Sequence, residues 1–310
     1  MHNFTFVTIG PLKIDDLSAV QPDIIQGYPS ATAVAGLGYK IVLNLIRHFD
    51  VEGLKHEGTA VIVHEHSELD GHPKNPVMDK KIDKGAPIVD EFRARAEMSF
   101  VVAISGLEIH DNAVATAIND MLPSLFFSGG KIFPTSFDVN KQVSICSGSK
   151  LKGVLRKLKP GSVLFDRHDL LDSEIASGNG EVDTLDALLN CLEFKAVPLI
   201  EDSVDENTEN SNKSGKNKAS DNSDKMRKYP GWLVPLFVGF QGIENRQKRS
   251  HTRTLDGLND HIYAESLYSI GEYKSLTSVL ASEEDDFLEG SFWKHAQNKA
   301  SETFFVTANS

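Results

Sequence analysis

Between Glu97 and Ser105 the apolar residues Met98, Phe100, Val102 and Ile104 recur at every second position, the spacing of a strand with one face in a core. The segments on either side of this strand decide the fold class. Upstream, Asn3 to Ile9 alternates around Phe4 and Phe6 until Gly10-Pro11 closes it, and Thr59 to His66 alternates again. Between those two strands, Ala31 to His48 carries Val34, Leu37, Ile41 and Leu45 at helical spacing, with Pro29-Ser30 where a helix start tolerates them. Gly36 and Gly38 are expected to flatten that helix where it meets another element. Downstream, Asp111 or Asn112 caps a helix carrying Val114, Ile118, Met121, Leu122 and Leu125, which Pro123 bends or shortens. After Ser128-Gly129-Gly130, the segment Lys131 to Phe133 resumes β character. The turn-rich stretch Asp70 to Ala86, holding Lys74, Lys80, Lys81 and Lys84, reads as an excursion from the core. The succession is that of a split βαβ, so an α+β chain with a ferredoxin-like sheet is expected, and an RNA-recognition fold becomes an option.

Beyond this unit, Lys152 to Phe165 is basic and then apolar, and Thr184 to Phe194 predicts a short amphipathic helix with Leu185, Leu188, Leu189 and Leu192 on one side. From Glu201 to Lys228 the chain is too polar to offset its ordering entropy and reads as a flexible linker. Tyr229-Pro230-Gly231-Trp232 then opens a buried strand through Phe240, with Trp232 expected in the core rather than stacked on a base. Tyr263 to Tyr273 and Phe292 to Phe305 supply the last apolar material. The expected organisation is a palm over 1–200 with an insertion around 70–95, the linker over 201–228, and a segment over 229–310 that completes the fold with further β and α elements.

No apolar run approaches the ~20 residues of a membrane span, and Met1 to Ile9 lacks the form of a signal peptide. Cys146 and Cys191 cannot build a disulfide framework and suit a reducing compartment, so a cytoplasmic location is expected. A net charge of -12 argues against a protein that coats nucleic acid with its whole surface. Charge is unevenly spread, however. Lys150, Lys152, Arg156, Lys157, Lys159 and Arg167 form one basic strip, and Arg246, Lys248, Arg249 and Arg253 form another. Screening over about 8 Å lets such strips bind a polyanion locally; the alternative is that both are solvated faces.

Catalytic patterns are weak. His64 and His66 would share a face of a regular strand and make half a metal site, but no third ligand is fixed by spacing and no metal is expected. His110-Asp111 and Arg167-His168-Asp169 set a histidine beside a carboxylate, a pairing that eleven histidines and forty-four acids produce easily. Phosphate-binding glycine motifs and a nucleophile elbow are absent. Gly129-Gly130-Lys131 remains, either as a bare turn that approaches a phosphate chain or as a plain tight turn.

Several blocks, read together, resemble one family: Tyr229-Pro230-Gly231-Trp232-Leu233-Val234-Pro235, Thr184-Leu185-Asp186-Ala187-Leu188-Leu189, Ile88-Val89-Asp90-Glu91-Phe92-Arg93 and Gly129-Gly130-Lys131-Ile132, with Gly27-Tyr28-Pro29-Ser30 early and Ala264 to Glu272 late. The chain is similar to the second Csy subunit of type I-F CRISPR surveillance complexes, a class of the RAMP superfamily, in collinear order along nearly its whole length. That resemblance implies an RNA-recognition-like palm with a thumb-like insertion, holding the 5′ handle of the CRISPR RNA and meeting the large and backbone subunits, with target DNA contacted indirectly or at its adjacent motif. It also implies a noncatalytic protein without cofactor, because a separate subunit cleaves the precursor. Gly129, Gly130, Lys131, Lys150, Lys152, Arg246, Lys248, Arg249 and Arg253 are then the candidate RNA-binding residues. A repeat endoribonuclease using His64, His66 or His168, and a protein-only scaffold, are the alternatives.

Overall fold

The computed structural model describes residues 4–22, 25–27, 29–73, 90–107, 112–136, 138–178, 180–196, 225–248, 260–282, 287–299 and 301–308. The chain opens with β1 (Thr5–Ser18), α1 (Ala31–Phe49), β2 (Lys55–Pro73), β3 (Asp90–Ser105), α2 (Asn112–Met121), β4 (Phe126–Phe127) and β5 (Gly130–Pro134). It continues through α3 (Val139–Gln142), β6 (Val143–Ser147), α4 (Gly148–Leu155), β7 (Ser162–Asp166), α5 (His168–Ser177), α6 (Thr184–Leu192) and β8 (Phe194–Ala196). The remainder is β9 (Lys225–Arg227), β10 (Trp232–Gly242), β11 (Ala264–Ser275), α7 (Leu276–Ala281), β12 (Lys294–Asn298) and β13 (Thr303–Thr307).

Among the described residues these elements form an α+β fold on a large antiparallel sheet, ordered β12-β13-β10-β11-β7-β2-β3-β1-β5-β4 with β6 also paired to β1, while β8 and β9 form a separate two-stranded sheet. At its centre β3 lies between β2 and β1, antiparallel to both, and β5 pairs with the outer side of β1. The α1 connection therefore straddles β3, the arrangement of a split βαβ. Two short strands share the place beside β1: β6 opposes Thr5–Ile9 and β5 opposes Leu12–Asp15. Only the second of these was legible as β in the sequence.

Alternation divides the sheet into two faces. On one face Val7, Leu12, Ile14, Phe100, Val102 and Ile104 pack with Val34, Ile41 and Leu45 of α1 and Ile118 of α2. On the other, Phe6, Ala60, Ile62, Val101 and Ala103 pack under Leu151 and Leu155 of α4 and Leu276 and Val279 of α7. The α1 core also takes Leu236, Val238, Trp293 and Val306, so the C-terminal strands share it. Ser30 accepts the Ala33 amide and begins α1 where Pro29-Ser30 predicts a start, and Asp50 ends the helix in the left-handed region. A Cβ on Gly38 would stand 1.8 Å from the Thr59 hydroxyl, the close approach expected of that glycine, whereas Gly36 faces open space.

Three expectations are corrected. Gly10-Pro11 does not close the first strand, because a register shift between Ile9 and Leu12 absorbs it and β1 runs on to Ser18. The second and third strands are longer than their alternation predicts, with the ladder reaching His72 opposite Glu91 and Pro73 opposite Asp90; residues 74–89 of the excursion lie outside the described residues. Trp232 is not a core residue: it is 44% exposed and leans on the Tyr273 ring at 5.1 Å, while Trp293 is fully buried. Trp232 is the first residue of its strand, on the exposed side, and Leu233 takes the buried position that its neighbours had suggested. Leu185 and Leu189 of α6 are likewise exposed, and the helix packs through Ala187, Leu188 and Cys191.

Of the polar stretch at 201–228, residues 201–224 lie outside the described residues. Its end is built in: β9 pairs with β8, and Lys228 with Tyr229 hydrogen-bonds the buried Glu174 carboxylate. Gly231 follows at φ +108, and a Cβ there would come 2.4 Å from the Glu272 carboxylate, itself bound by Arg167 at 2.6 Å. The Tyr-Pro-Gly-Trp block thus fastens the start of β10 to α5 and β11.

Where α1 meets β2, the His56 ring bonds the Thr59 hydroxyl at 2.7 Å, and Tyr39 stands edge-on to both His56 and His295. Burial, followed by the nearby His295, pushes the His56 pKa down to about 4 from 6.5. The unfolded chain therefore binds this proton first as pH falls, so stability is full above about 6.5 and drops down to about 4. The loss is expected to reach at most ~3 kcal/mol, less where solvent reaches the ring. Urea titrations at pH 7 and pH 5 check it: the stability gap should narrow in His56→Gln, and an unchanged gap would place the acid sensitivity elsewhere.

Candidate nucleic-acid interface

The helices α4 and α7 cover only part of their sheet face. Past them, the residues that alternate with the α1 core along β1, β2, β3 and β5 are polar or aromatic. Register aligns them in two rows. In one, Phe133 lies opposite Lys13, Lys13 opposite Glu97, and Glu97 opposite Glu65. In the next, Lys131 lies opposite Asp15 and Ser67 opposite Arg95, with Arg95 bonded to Asp15 at 2.6 Å. Between the rows runs an open groove of about 490 Å³, lined by Lys13, Asp15, Glu65, Arg95, Glu97 and Phe133 among others. Phe133 is 43% exposed, and the Lys131 ammonium sits 5.4 Å from its ring centre.

One ion pair joins this groove to the basic strip of α4. Lys159, just past that helix, pairs with the buried Glu97 at 2.5 Å. His64 ties the same corner down, with one ring nitrogen at 2.7 Å from the Ser99 hydroxyl and the other at 3.1 Å from the Pro160 carbonyl. Burial holds the His64 pKa below the usual histidine value despite the Pro160 carbonyl. Lys150, Arg156 and Lys157 are exposed along the strip. Exposed cations thus follow one another from Lys131 and Lys13 through Lys159 to α4.

The candidate residues named from sequence fall in three places. Ser128 and Gly129, at φ +48 and +78, form a two-residue hairpin loop between β4 and β5. Gly129 is exposed beside Arg93, whereas Gly130 is buried with the place of a Cβ only 2.7 Å from the Leu17 backbone, so its bareness serves strand packing. Lys131 lies beside the groove, opposite Asp15 and over the Phe133 ring. On α4, Lys150 is exposed, while Lys152 hydrogen-bonds the Ser282 carbonyl and lies over the Phe287 ring. Arg246 and the exposed Lys248 follow β10, on the far side of the sheet order from Lys131, and Arg246 is held by Glu302 at 2.5 Å. Arg249 and Arg253 lie outside the described residues.

The described histidines named from sequence, His64, His66 and His168, are each held by different partners. A bulge between Val63 and Glu65 breaks the regular alternation, so His64 bonds Ser99 on one face while His66 stands opposite Ala96 of the α1 core. The expected common face of His64 and His66 is thereby corrected. His168 bonds Ser269 at 3.2 Å and Asp172 at 3.4 Å, and Asp166 accepts from the His168 and Ala308 amides and from the Thr307 hydroxyl. His110 and Asp111 lie outside the described residues. Among the described residues no cluster of three or more His, Cys, Asp or Glu could hold a metal ion, and no helix is long and apolar enough to cross a membrane.

Sequence reasoning missed Lys13, Arg93, Arg95 and Phe133. Their signal was present as alternation: Lys13 and Asp15 interleave Leu12, Ile14 and Leu17, and Arg93, Arg95 and Glu97 interleave Ala94 and Ala96. Scattered through the chain they form no run of like charge, and only strand register assembles them.

The chain matches the family model for the CRISPR-associated protein Cas_Csy2 over residues 7–306. It is 23% identical over 298 residues to the CRISPR-associated protein Csy2 of Pseudomonas aeruginosa strain UCBPP-PA14, an alignment covering 87% of this chain and 86% of that protein. A solved chain described as a CRISPR RNA-guided surveillance complex shares 14% identity, with 54% of this chain and 78% of that chain covered, at a TM-score of 0.27. The family match runs from within β1 to within β13 and so takes in both the groove and the C-terminal strands. On that span, the chain belongs to the Csy2 family of CRISPR-associated proteins.

Proposed function

We propose that this protein is a noncatalytic RNA-binding subunit of a type I-F CRISPR surveillance complex, which grips the 5′ handle of the CRISPR RNA and joins the large and backbone subunits at the foot of the assembly. In this reading the central four strands are a ferredoxin-like palm and the long β2–β3 arms are the base of a thumb-like insertion. The observation that carries it is the run of exposed cations from Lys131 and Lys13 past the Lys159–Glu97 pair to Lys150, Arg156 and Lys157. Such a track neutralises a phosphate chain locally on a protein whose net charge is negative. Family membership supports the same role. The engagement of both His64 ring nitrogens supports a structural rather than catalytic use of that residue.

Incubating the purified protein with labelled repeat RNA, with and without divalent metal, tests it. Retained and intact RNA is the expected result. A single specific cut, lost on His64→Ala or His168→Ala, would make the protein a repeat endoribonuclease. RNA that is not retained at low salt would leave a protein-only scaffold.

A further inference from the structure

We propose that the groove on the sheet is a seat for one unpaired RNA base, and that it accepts bases carrying an exocyclic amine while rejecting uracil. This rests on the RNA-binding reading above and assigns a ligand subsite to it. Phe133 offers an exposed ring beside Lys131, and stacking on such a ring is open to any base. Lys13 stands directly across from Phe133 in register and makes no ion pair among the described residues, so its ammonium can meet a phosphate next to the stacked base. The wall opposite Phe133 carries carboxylates. Arg95 occupies Asp15 and Lys159 occupies Glu97, while Glu65 is exposed and has no ion pair among the described residues.

A free carboxylate accepts hydrogen bonds and cannot donate. The amines of adenine, cytosine and guanine can donate to it, and guanine adds its ring N–H. Uracil presents one ring N–H flanked by two carbonyl oxygens, which the carboxylate repels. The strands β5, β1, β3 and β2 lie about 4.8 Å apart, so Phe133 and Glu65 stand roughly 14 Å apart at the backbone. Both side chains line the groove that spans this distance, which is the scale of a single base rather than a paired duplex. The groove volume of about 490 Å³ is within the range of small-molecule sites.

The probes are labelled octamers of adenylate, cytidylate and uridylate, titrated onto the full-length protein at one salt concentration. Adenylate and cytidylate should bind about fivefold or more tighter than uridylate. Phe133→Ala should weaken adenylate binding about tenfold, with Phe133→Tyr restoring it. Glu65→Gln should erase the preference against uridylate, since an amide both donates and accepts. Lys157→Ala, on the strip past α4, should weaken all three octamers alike. If the Phe133 and Glu65 variants match the wild type while Lys157→Ala still weakens binding, the base seat is wrong and the RNA-binding reading stands. If none of the octamers binds, both fail. Because Phe133 and Glu65 are exposed, unchanged thermal melts will separate these outcomes from misfolding.

Discussion

Replacing Trp293 by alanine is expected to cost about 3–5 kcal/mol of folding stability, the range for deleting a large buried aromatic side chain. Trp293 is fully buried, its indole N–H donates to the Leu164 carbonyl at 3.3 Å, and its backbone exchanges two hydrogen bonds with Thr59. It thereby locks the C-terminal segment to β2 and β7, and truncation would leave both a cavity and an unsatisfied Leu164 carbonyl. Against a typical total of 5–15 kcal/mol such a loss leaves little reserve. Trp232→Ala should cost only about 1 kcal/mol, because the half-exposed ring gives up chiefly its packing against Tyr273. Urea unfolding of the two variants decides the ranking. A larger drop at Trp232 than at Trp293 would contradict the packing described.

The contrast between the two tryptophans shows where the sequence stops being informative. Trp232 stands beside Leu233 and Val234 in a strong apolar run, whereas Trp293 sits in the mixed segment Ser291-Phe292-Trp293-Lys294 with no periodicity of its own. Local pattern measures a strand's hydrophobicity; burial depends on which strand lies next to it. The central strands were legible because their alternation is long and clean, as in β3, and α1 because its apolar residues, cap and closely packed Gly38 agree. Register shifts at Gly10-Pro11 and at His64 were not legible, since each depends on the partner strand. The same limit applies to the candidate interface. Lys131 and the α4 cations show as local features, but Lys13, Arg95 and Phe133 become a site only when three strands are set in register.

The second large effect concerns RNA. Changing Lys13, Lys131, Lys150 and Lys157 together to glutamine removes four exposed cations from the track while leaving the Arg95–Asp15 and Lys159–Glu97 pairs intact. For single-stranded RNA each phosphate that is no longer neutralised lowers the slope of log affinity against log salt by about 0.7, so four such phosphates lower it by about 3. Affinity at low salt should fall at least about a hundredfold, and the thermal melt should not move, because none of the four side chains is buried. Neutralising Arg246 and Lys248 gives the comparison. Arg246 already faces the Glu302 carboxylate, and both residues stand apart from the groove in sheet order. Their removal should change the slope less.

The salt dependence of handle-RNA binding, compared between the wild type and the fourfold glutamine variant, is the most direct test of an RNA track across this sheet. A slope flattened by about 0.7 for each phosphate left without its cation, with an unchanged melt, is the expected result. Equal affinities and equal slopes for the two proteins would contradict it and take RNA off this face of the molecule.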